Sequence, residues 1–223
     1  MKSPLFTLTA LLAASLLARA DIVIVQRSDA AGQTGDQTIR IKGDKARTDI
    51  ADQMTMLTDG ATGDIVTLVH PQKTYMKISS TQTKAMMEQM QKLRPSAETP
   101  KLVPSNRKEK VGDYDCEVFT CNLGMVNITY WIAKDFPNYQ AVLAQMEKMQ
   151  AGSISAMAKG MMPDLKDFPG MTIKTEMEFG GKKVTTTLVS AREENVDPAI
   201  FTIPADYKEM AAPTMSLPSS AAP

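Results

Sequence analysis

Short runs of alternating apolar and polar residues, broken by turn chemistry every eight to twelve positions or so, constrain this chain more than any other feature. "DIVIVQRS" (21–28) and "QTIRIKG" (37–43) alternate with period two, and "KARTDIAD" (45–52) follows across Gly43-Asp44. "MTMLTDG" (54–60) and "DIVTLVH" (64–70) flank a turn built from Asp59, Gly60, Thr62 and Gly63. "KTYMKIS" (73–79) comes after His70-Pro71-Gln72. Period two with tight turns demands hairpins, so this half of the chain folds as an antiparallel meander. A second set of strands is expected at 114–121 and 125–133 around Asn122-Leu123-Gly124, and at 171–179 and 183–193 around Gly180-Gly181. A polar, proline-containing linker (95–106) joins the two sets.

Two stretches break the alternation with helical spacing. Ser79-x-x-Gln82 has the form of a capping box, and Met86, Met87, Met90 and Leu93 then recur at i, i+1, i+4 and i+7. Pro95 ends that helix. Pro137 opens a second, over 138–150, with Val142, Leu143, Met146 and Met149 on one side. A third is expected over 153–162, with Ile154, Met157 and Met161 inward. The sum is an α+β fold: about ten antiparallel strands in an open half-barrel, with two or three helices over its concave face.

The first twenty residues stand apart. Lys2 gives a basic start, Leu5 to Leu17 form an apolar run, and Ala18-Arg19-Ala20 suits a signal peptidase. Cleavage after Ala20 is expected, delivering a product to the bacterial periplasm or beyond. The apolar run is shorter than the roughly 20 residues a membrane span needs. Residues 21–210 then form one domain, and the Pro/Ser/Ala-rich 211–223 a disordered tail. Cleavage removes Lys2 and Arg19 from 25 basic residues, leaving 23 against 25 acidic ones. A formal charge of −2 argues against nucleic acid or an anionic surface as an electrostatic partner.

No constellation for catalysis stands out. The single histidine, His70, falls in a turn, and no Gly-x-Ser-x-Gly, P-loop or dinucleotide fingerprint is present. A non-enzymatic protein without a cofactor is therefore expected. Cys116 and Cys121 lie on one strand, roughly 16 Å apart and on opposite faces, too far for the 7 Å or so that a disulfide spans. Buried free thiols are the reading, and a zinc site would lack its remaining ligands.

Methionine is the unusual component: 17 residues, against 6 Phe, 5 Tyr and 1 Trp. Flexible thioethers re-pack around ligands of varied shape. Met86, Met87, Met90, Leu93, Trp131, Val142, Met146, Met149, Met157 and Met161 are the candidate lining of an apolar cavity for a lipid or other hydrophobic small molecule. An ordinary filled core, making the protein an envelope structural or interaction module, is the alternative. A set of soft ligands for Cu(I) is the third reading, although amphipathic spacing rather than loop clustering speaks against it.

Several motifs also carry a resemblance. Lys45-x-Arg47-x-Asp49, Lys73-x-Tyr75-Met76, Tyr114-x-Cys116-Glu117 and Asp197-Pro198-x-x-Phe201-x-x-Pro204-x-x-Tyr207 occur in the order seen in an exported bacterial family catalogued as a domain of unknown function, DUF4412. The chain resembles that family over almost all of its length after residue 20. More distantly it is similar to the lipoprotein-carrier fold of LolA, LolB and LppX. That resemblance implies an open half-barrel closed by helices over a cavity for acyl chains. Cys121 departs from the pattern.

Overall fold

The computed structural model describes residues 21–30, 32–93, 100–124, 126–150 and 162–210, without the side chains at 86, 87, 90–93, 149 and 150. The expected signal segment and the tail lie outside the described residues, as does nearly all of the expected third helix. Its last position, Met162, is described and is exposed.

Twelve strands make one sheet. They are β1 (Asp21–Ala30), β2 (Gln33–Lys42), β3 (Lys45–Ile50), β4 (Met54–Asp59), β5 (Ile65–Val69), β6 (Thr74–Ile78), β7 (Val103–Val111), β8 (Tyr114–Asn122), β9 (Val126–Ala133), β10 (Met171–Phe179), β11 (Lys182–Glu194) and β12 (Lys208–Glu209). Helix α1 (Ser80–Leu93) follows β6, and α2 (Tyr139–Gln150) follows β9. The strand order is β12-β6-β5-β4-β3-β2-β1-β11-β10-β9-β8-β7. Every pairing is antiparallel except β12 beside β6. The two meanders meet where β1 pairs with β11, and the sheet stays open and half-barrel-like, with β12 and β7 at its edges.

Two strands exceed the expected ten. The 95–106 stretch read as a linker gives way at Val103 to β7, a nine-residue edge strand. Its sequence hid it, because an edge strand is best protected by charge, proline and a bulge. Arg107, Lys108 and Lys110 are exposed, Pro104 lies within it, and Asn106 takes φ +59° where the register shifts. The other addition, β12, is two residues long and has no periodicity to read.

Local chemistry matches the expected element starts. Gln82 Oε1 accepts from the Ser79 amide at 2.9 Å, and the Gln82 amide donates to Ser79 Oγ at 3.3 Å. That is a closed capping box for α1. Gly43 adopts φ +61° in the β2–β3 turn, and Gly180 and Gly181 take φ +57° and +74° in the two-residue β10–β11 turn, conformations cheap only for glycine.

Cross-strand register sorts the side chains of β1–β6 onto two faces. On the first face run Ile22, Ile41, Ala46, Thr58, Ile65 and Ile78, with Ile24, Ile39, Thr48, Met56, Thr67 and Met76 in the adjacent row. On the second run Val23, Arg40, Arg47, Leu57, Val66 and Lys77, with Val25, Thr38, Asp49, Thr55, Leu68 and Tyr75 beside them. Helix α2 serves the first face. Its Val142 is buried in one cluster with Ile22 and Ile24, and Gln145 Nε2 donates to the Gly43 carbonyl at 3.0 Å. The 196–210 segment serves the second face.

Candidate functional site

The first face changes character along its length. Beside α2, Ile22, Ile24 and Ile41 are almost completely buried. Across β4, β5 and β6 the same rows continue as Met56, Ile65, Thr67, Met76 and Ile78, and all five are only half-buried. Apolar surface therefore extends past the part that is sealed. These strand residues were not among the expected lining, although period two in "MTMLTDG", "DIVTLVH" and "KTYMKIS" marks them as one face.

Of the expected lining residues, the structure brings three together. Trp131, Val142 and Met146 meet in the cluster that holds Ile22, with Phe136, Met171 and Ile173. Trp131 is pinned: its Nε1 donates to Glu109 Oε2 at 2.7 Å, and Lys174 Nζ stands 4.2 Å from the ring centroid. Hydrogen bonds from Trp131 and Arg107 hold the Glu109 carboxyl below the usual carboxylate range. Met86, Met87, Met90 and Leu93 lie along α1 and Met149 on α2, but their side chains are outside the described set, as are Met157 and Met161 altogether. Tyr130 lies on the other side of β9, in a second cluster with Cys121, Ile128 and Ile132, edge-on to Phe168.

Polar groups converge on the second face. Asp49 accepts from Arg47 Nε at 2.9 Å, from Thr55 Oγ1 at 2.6 Å and from Arg40. Thr55 Oγ1 lies 2.8 Å from His70 Nε2, and His70 Nδ1 lies 2.6 Å from the Tyr207 hydroxyl. An ionised carboxylate only accepts, which sets the direction of the whole chain. The Thr55 hydroxyl donates to Asp49, His70 Nε2–H donates to Thr55, and with a neutral imidazole Tyr207 donates to Nδ1. Burial acts to raise the Asp49 carboxyl, but the Arg47 and Thr55 hydrogen bonds, with the Arg47 and Arg40 charges, outweigh it and leave the group below the usual range. Thr55 is fully buried, so no substrate reaches it.

The same face fastens the 196–210 segment. Asp21 Oδ2 accepts from the Val196 amide at 2.9 Å, and Arg47 Nη1 donates to the Ile200 carbonyl at 2.7 Å. Asp197 Oδ1 accepts from the Ala199 amide, capping a 3-10 turn over Pro198–Phe201. Lys73 pairs with Asp206 at 2.8 Å, and the Tyr75 hydroxyl donates to Glu209. Backbone bonds from Lys208 to Lys73 and from Met210 to Tyr75 finish the strap.

The cysteines are free and buried, in separate clusters on opposite faces of β8, as their odd spacing requires. Burial pushes both thiols up, which keeps them protonated and poorly nucleophilic. Among the described residues no three His, Cys, Asp or Glu side chains gather as a metal site, and no helix is long and apolar enough to cross a membrane.

Residues 22–207 match the family described as a domain of unknown function, DUF4412. The chain belongs to this family. No curated protein matches it in sequence. Among solved structures it is similar to PNGF-II at TM-score 0.43 and 10% identity, over 86% of this chain and 31% of that one. It thus spans about a third of the length of PNGF-II. Mycobacterium tuberculosis lipoprotein LppX aligns at TM-score 0.40 and 10% identity, over 78% and 88% of the two chains. A DUF1329 family protein from Desulfovibrio piger aligns at 0.34 and 13%, over 82% and 90%.

The motifs that signalled DUF4412 now have physical roles. Arg47, Asp49, Lys73, Tyr75, Asp197, Pro198 and Tyr207 are the fastenings of the strap. Tyr114 packs against Phe136, Cys116 is buried, and Glu117 pairs with Lys134 at 2.8 Å. Tyr114 and Cys116 belong to the cluster that seals Ile22 and Ile24 at the α2 end of the first face, and Met76 stands in its half-buried row.

Proposed function

We propose that this DUF4412 chain is a non-enzymatic binding or carrier protein of the bacterial envelope, holding a lipid or another hydrophobic molecule between its helices and the first face of β1–β6. The gradient of burial along that face carries the reading. Rows sealed at Ile22, Ile24 and Ile41 continue as half-buried Met56, Ile65, Thr67, Met76 and Ile78. A filled helix–sheet core buries its strand side chains evenly, whereas a ligand site leaves a stretch of the same rows undercovered. Thioethers and branched aliphatics supply an adaptable apolar lining, and the methionine spacing of α1 adds more of the same chemistry. The polar network centred on Asp49 lies on the strap side, where structural hydrogen bonds consume it.

The cluster around Trp131, Val142 and Ile173 favours a second reading for the α2 end, a filled-core interaction module. Native mass spectrometry of protein purified without detergent, followed by solvent extraction, separates the two. A bound mass that extracts as an amphiphile is the expected result. A bare polypeptide mass, together with failure to take up fluorescent lipid, would overturn the carrier reading.

A further inference from the structure

Two of the motif residues, Lys45 and Phe201, take no part in the polar fastening of the strap, and both line one pocket. It encloses about 230 Å³ between the second face and the strap. Leu57 and Val66, paired across β4 and β5, form its apolar floor, and Phe201 and Ile203 supply an apolar wall from the strap. Leu57 is buried and the other three are half-buried. The bond from Arg47 to the Ile200 carbonyl, at 2.7 Å, fixes the strap beside this floor.

The charges at the rim divide into engaged and free. Asp64 pairs with Lys77 at 3.0 Å and accepts from the Ser80 amide at 3.1 Å. Lys45 and Asp59 stand directly opposite each other on β3 and β4, yet among the described residues neither forms an ion pair. Asp59 is held by its own turn, where Oδ1 accepts from the Ala61 and Thr62 amides at 3.0 and 2.9 Å. Its carboxylate is thereby fixed in place with Oδ2 unused. The pocket thus offers one free cation and one free anion side by side, next to an apolar wall.

We propose that this pocket binds a free α-amino acid with an apolar side chain. Lys45 takes its carboxylate, Asp59 Oδ2 takes its ammonium, and Leu57, Val66, Phe201 and Ile203 take its side chain. A simple anion would meet Asp59 as well as Lys45, and a simple cation would meet Lys45 as well as Asp59, so each is opposed by a like charge. A hydrocarbon would desolvate both charges without pairing them. A zwitterion answers each with its opposite. Directly opposed residues have Cβ atoms about 5 Å apart, which suits two charges on one α-carbon better than the two ends of a peptide. The volume lies below the roughly 300–1,000 Å³ of sites for larger ligands, so it fits a leucine and excludes a lipid. The site is on the opposite face from the proposed lipid site and does not depend on the carrier reading.

Isothermal titration calorimetry of the full chain after residue 20 with L-leucine and L-phenylalanine tests the proposal, and saturable binding is expected. N-acetyl-leucine lacks the ammonium and leucinamide lacks the carboxylate, so each should bind the parent about tenfold more weakly than leucine, the size of one charged hydrogen bond. Lys45→Gln should weaken leucine by a similar factor and leave leucinamide unchanged. Asp59→Asn, which keeps an oxygen for the turn, should weaken leucine and leave N-acetyl-leucine unchanged. The ligand series on the parent decides the matter even if a variant fails to fold. Absence of binding by either amino acid overturns the proposal, as does leucine binding that neither substitution changes. Tighter binding of leucyl-leucine than of leucine also overturns it, by making the occupant a peptide.

Discussion

Leu68 and Thr55, on β5 and β4, have no exposed surface beneath the 196–210 strap, whereas Thr67 and Met56, on the other side of the same two strands, stay half-buried, as does Met76 on β6. Strand propensity does not separate the two sides, since both carry β-branched and aliphatic residues. The covering element does. The strap is an irregular segment tied down at Val196, Ile200, Tyr207, Lys208 and Met210, and its ties use side chains from β1 and β3 and the His70 turn. The first face is covered by α2 through Val142 and Gln145 at one end, and its cover thins toward β6. One face is fastened by the strap over Thr55 and Leu68, and the other is sealed at its α2 end.

The largest expected effect comes from the centre of the fastening. Asp49→Ala strands half-buried Arg47 and Arg40 without their shared carboxylate and leaves the fully buried Thr55 hydroxyl without its acceptor, and together these losses cost about 3 kcal/mol. Urea denaturation measures it, and a loss well below 1 kcal/mol would show that the strap holds by apolar contact alone. The pH dependence follows the same group. Its folded-state pKa is depressed, so its stabilisation is present above the unfolded value, about 3.9, and is lost as pH falls through the folded value. Stability should therefore drop below about pH 4, and Asp49→Asn should flatten that limb.

Leu68→Ala comes next, at about 3 kcal/mol, because a fully buried leucine leaves a cavity that a pinned strap cannot collapse. Tyr207→Phe is milder. It removes one hydroxyl donor to His70 Nδ1 and is expected to cost about 1 kcal/mol. Limited proteolysis gives a second view, with faster cleavage in 196–210 for Tyr207→Phe than for the parent. Equal cleavage rates would mean that the backbone bonds at Lys208 and Met210 suffice. Lys73→Ala should be nearly silent, since the Lys73–Asp206 pair is exposed at 65% and 58% and such pairs contribute little.

How far the sequence reveals this division depends on which signal each part leaves. The hairpins were legible because glycine-containing turns at Gly43, Gly124 and Gly180-Gly181 punctuate period-two runs. The capping box announced α1, and odd spacing put Cys116 and Cys121 on opposite faces. β7 was missed because edge strands are selected for charge, not alternation. The strap was legible only as a string of motif residues, Asp197 to Tyr207, whose partners Arg47, His70 and Lys73 lie more than a hundred positions earlier. Long-range polar pairing has no local period. Methionine stripes are conspicuous on helices, whereas Met56 and Met76 are hidden inside ordinary β-alternation.

The smallest expected effect discriminates most. Met76 is half-buried on the first face, with Thr67 beside it and Met56 beyond. In a filled core, Met76→Ala would cost about 2–5 kcal/mol, like other large-to-small changes. On an undercovered face most of that loss has already occurred, because the thioether has few neighbours to leave, and the ligand-free protein should lose less than about 1 kcal/mol. With lipid bound the difference should grow, since ligand that contacts Met76 stabilises the folded state only to the extent that it binds. Thermal denaturation of both proteins, with and without added lipid, reads the two quantities together. A large loss in the ligand-free pair would mean that β6 is packed as firmly on this face as Leu68 is on the other, and the contrast between the faces would disappear.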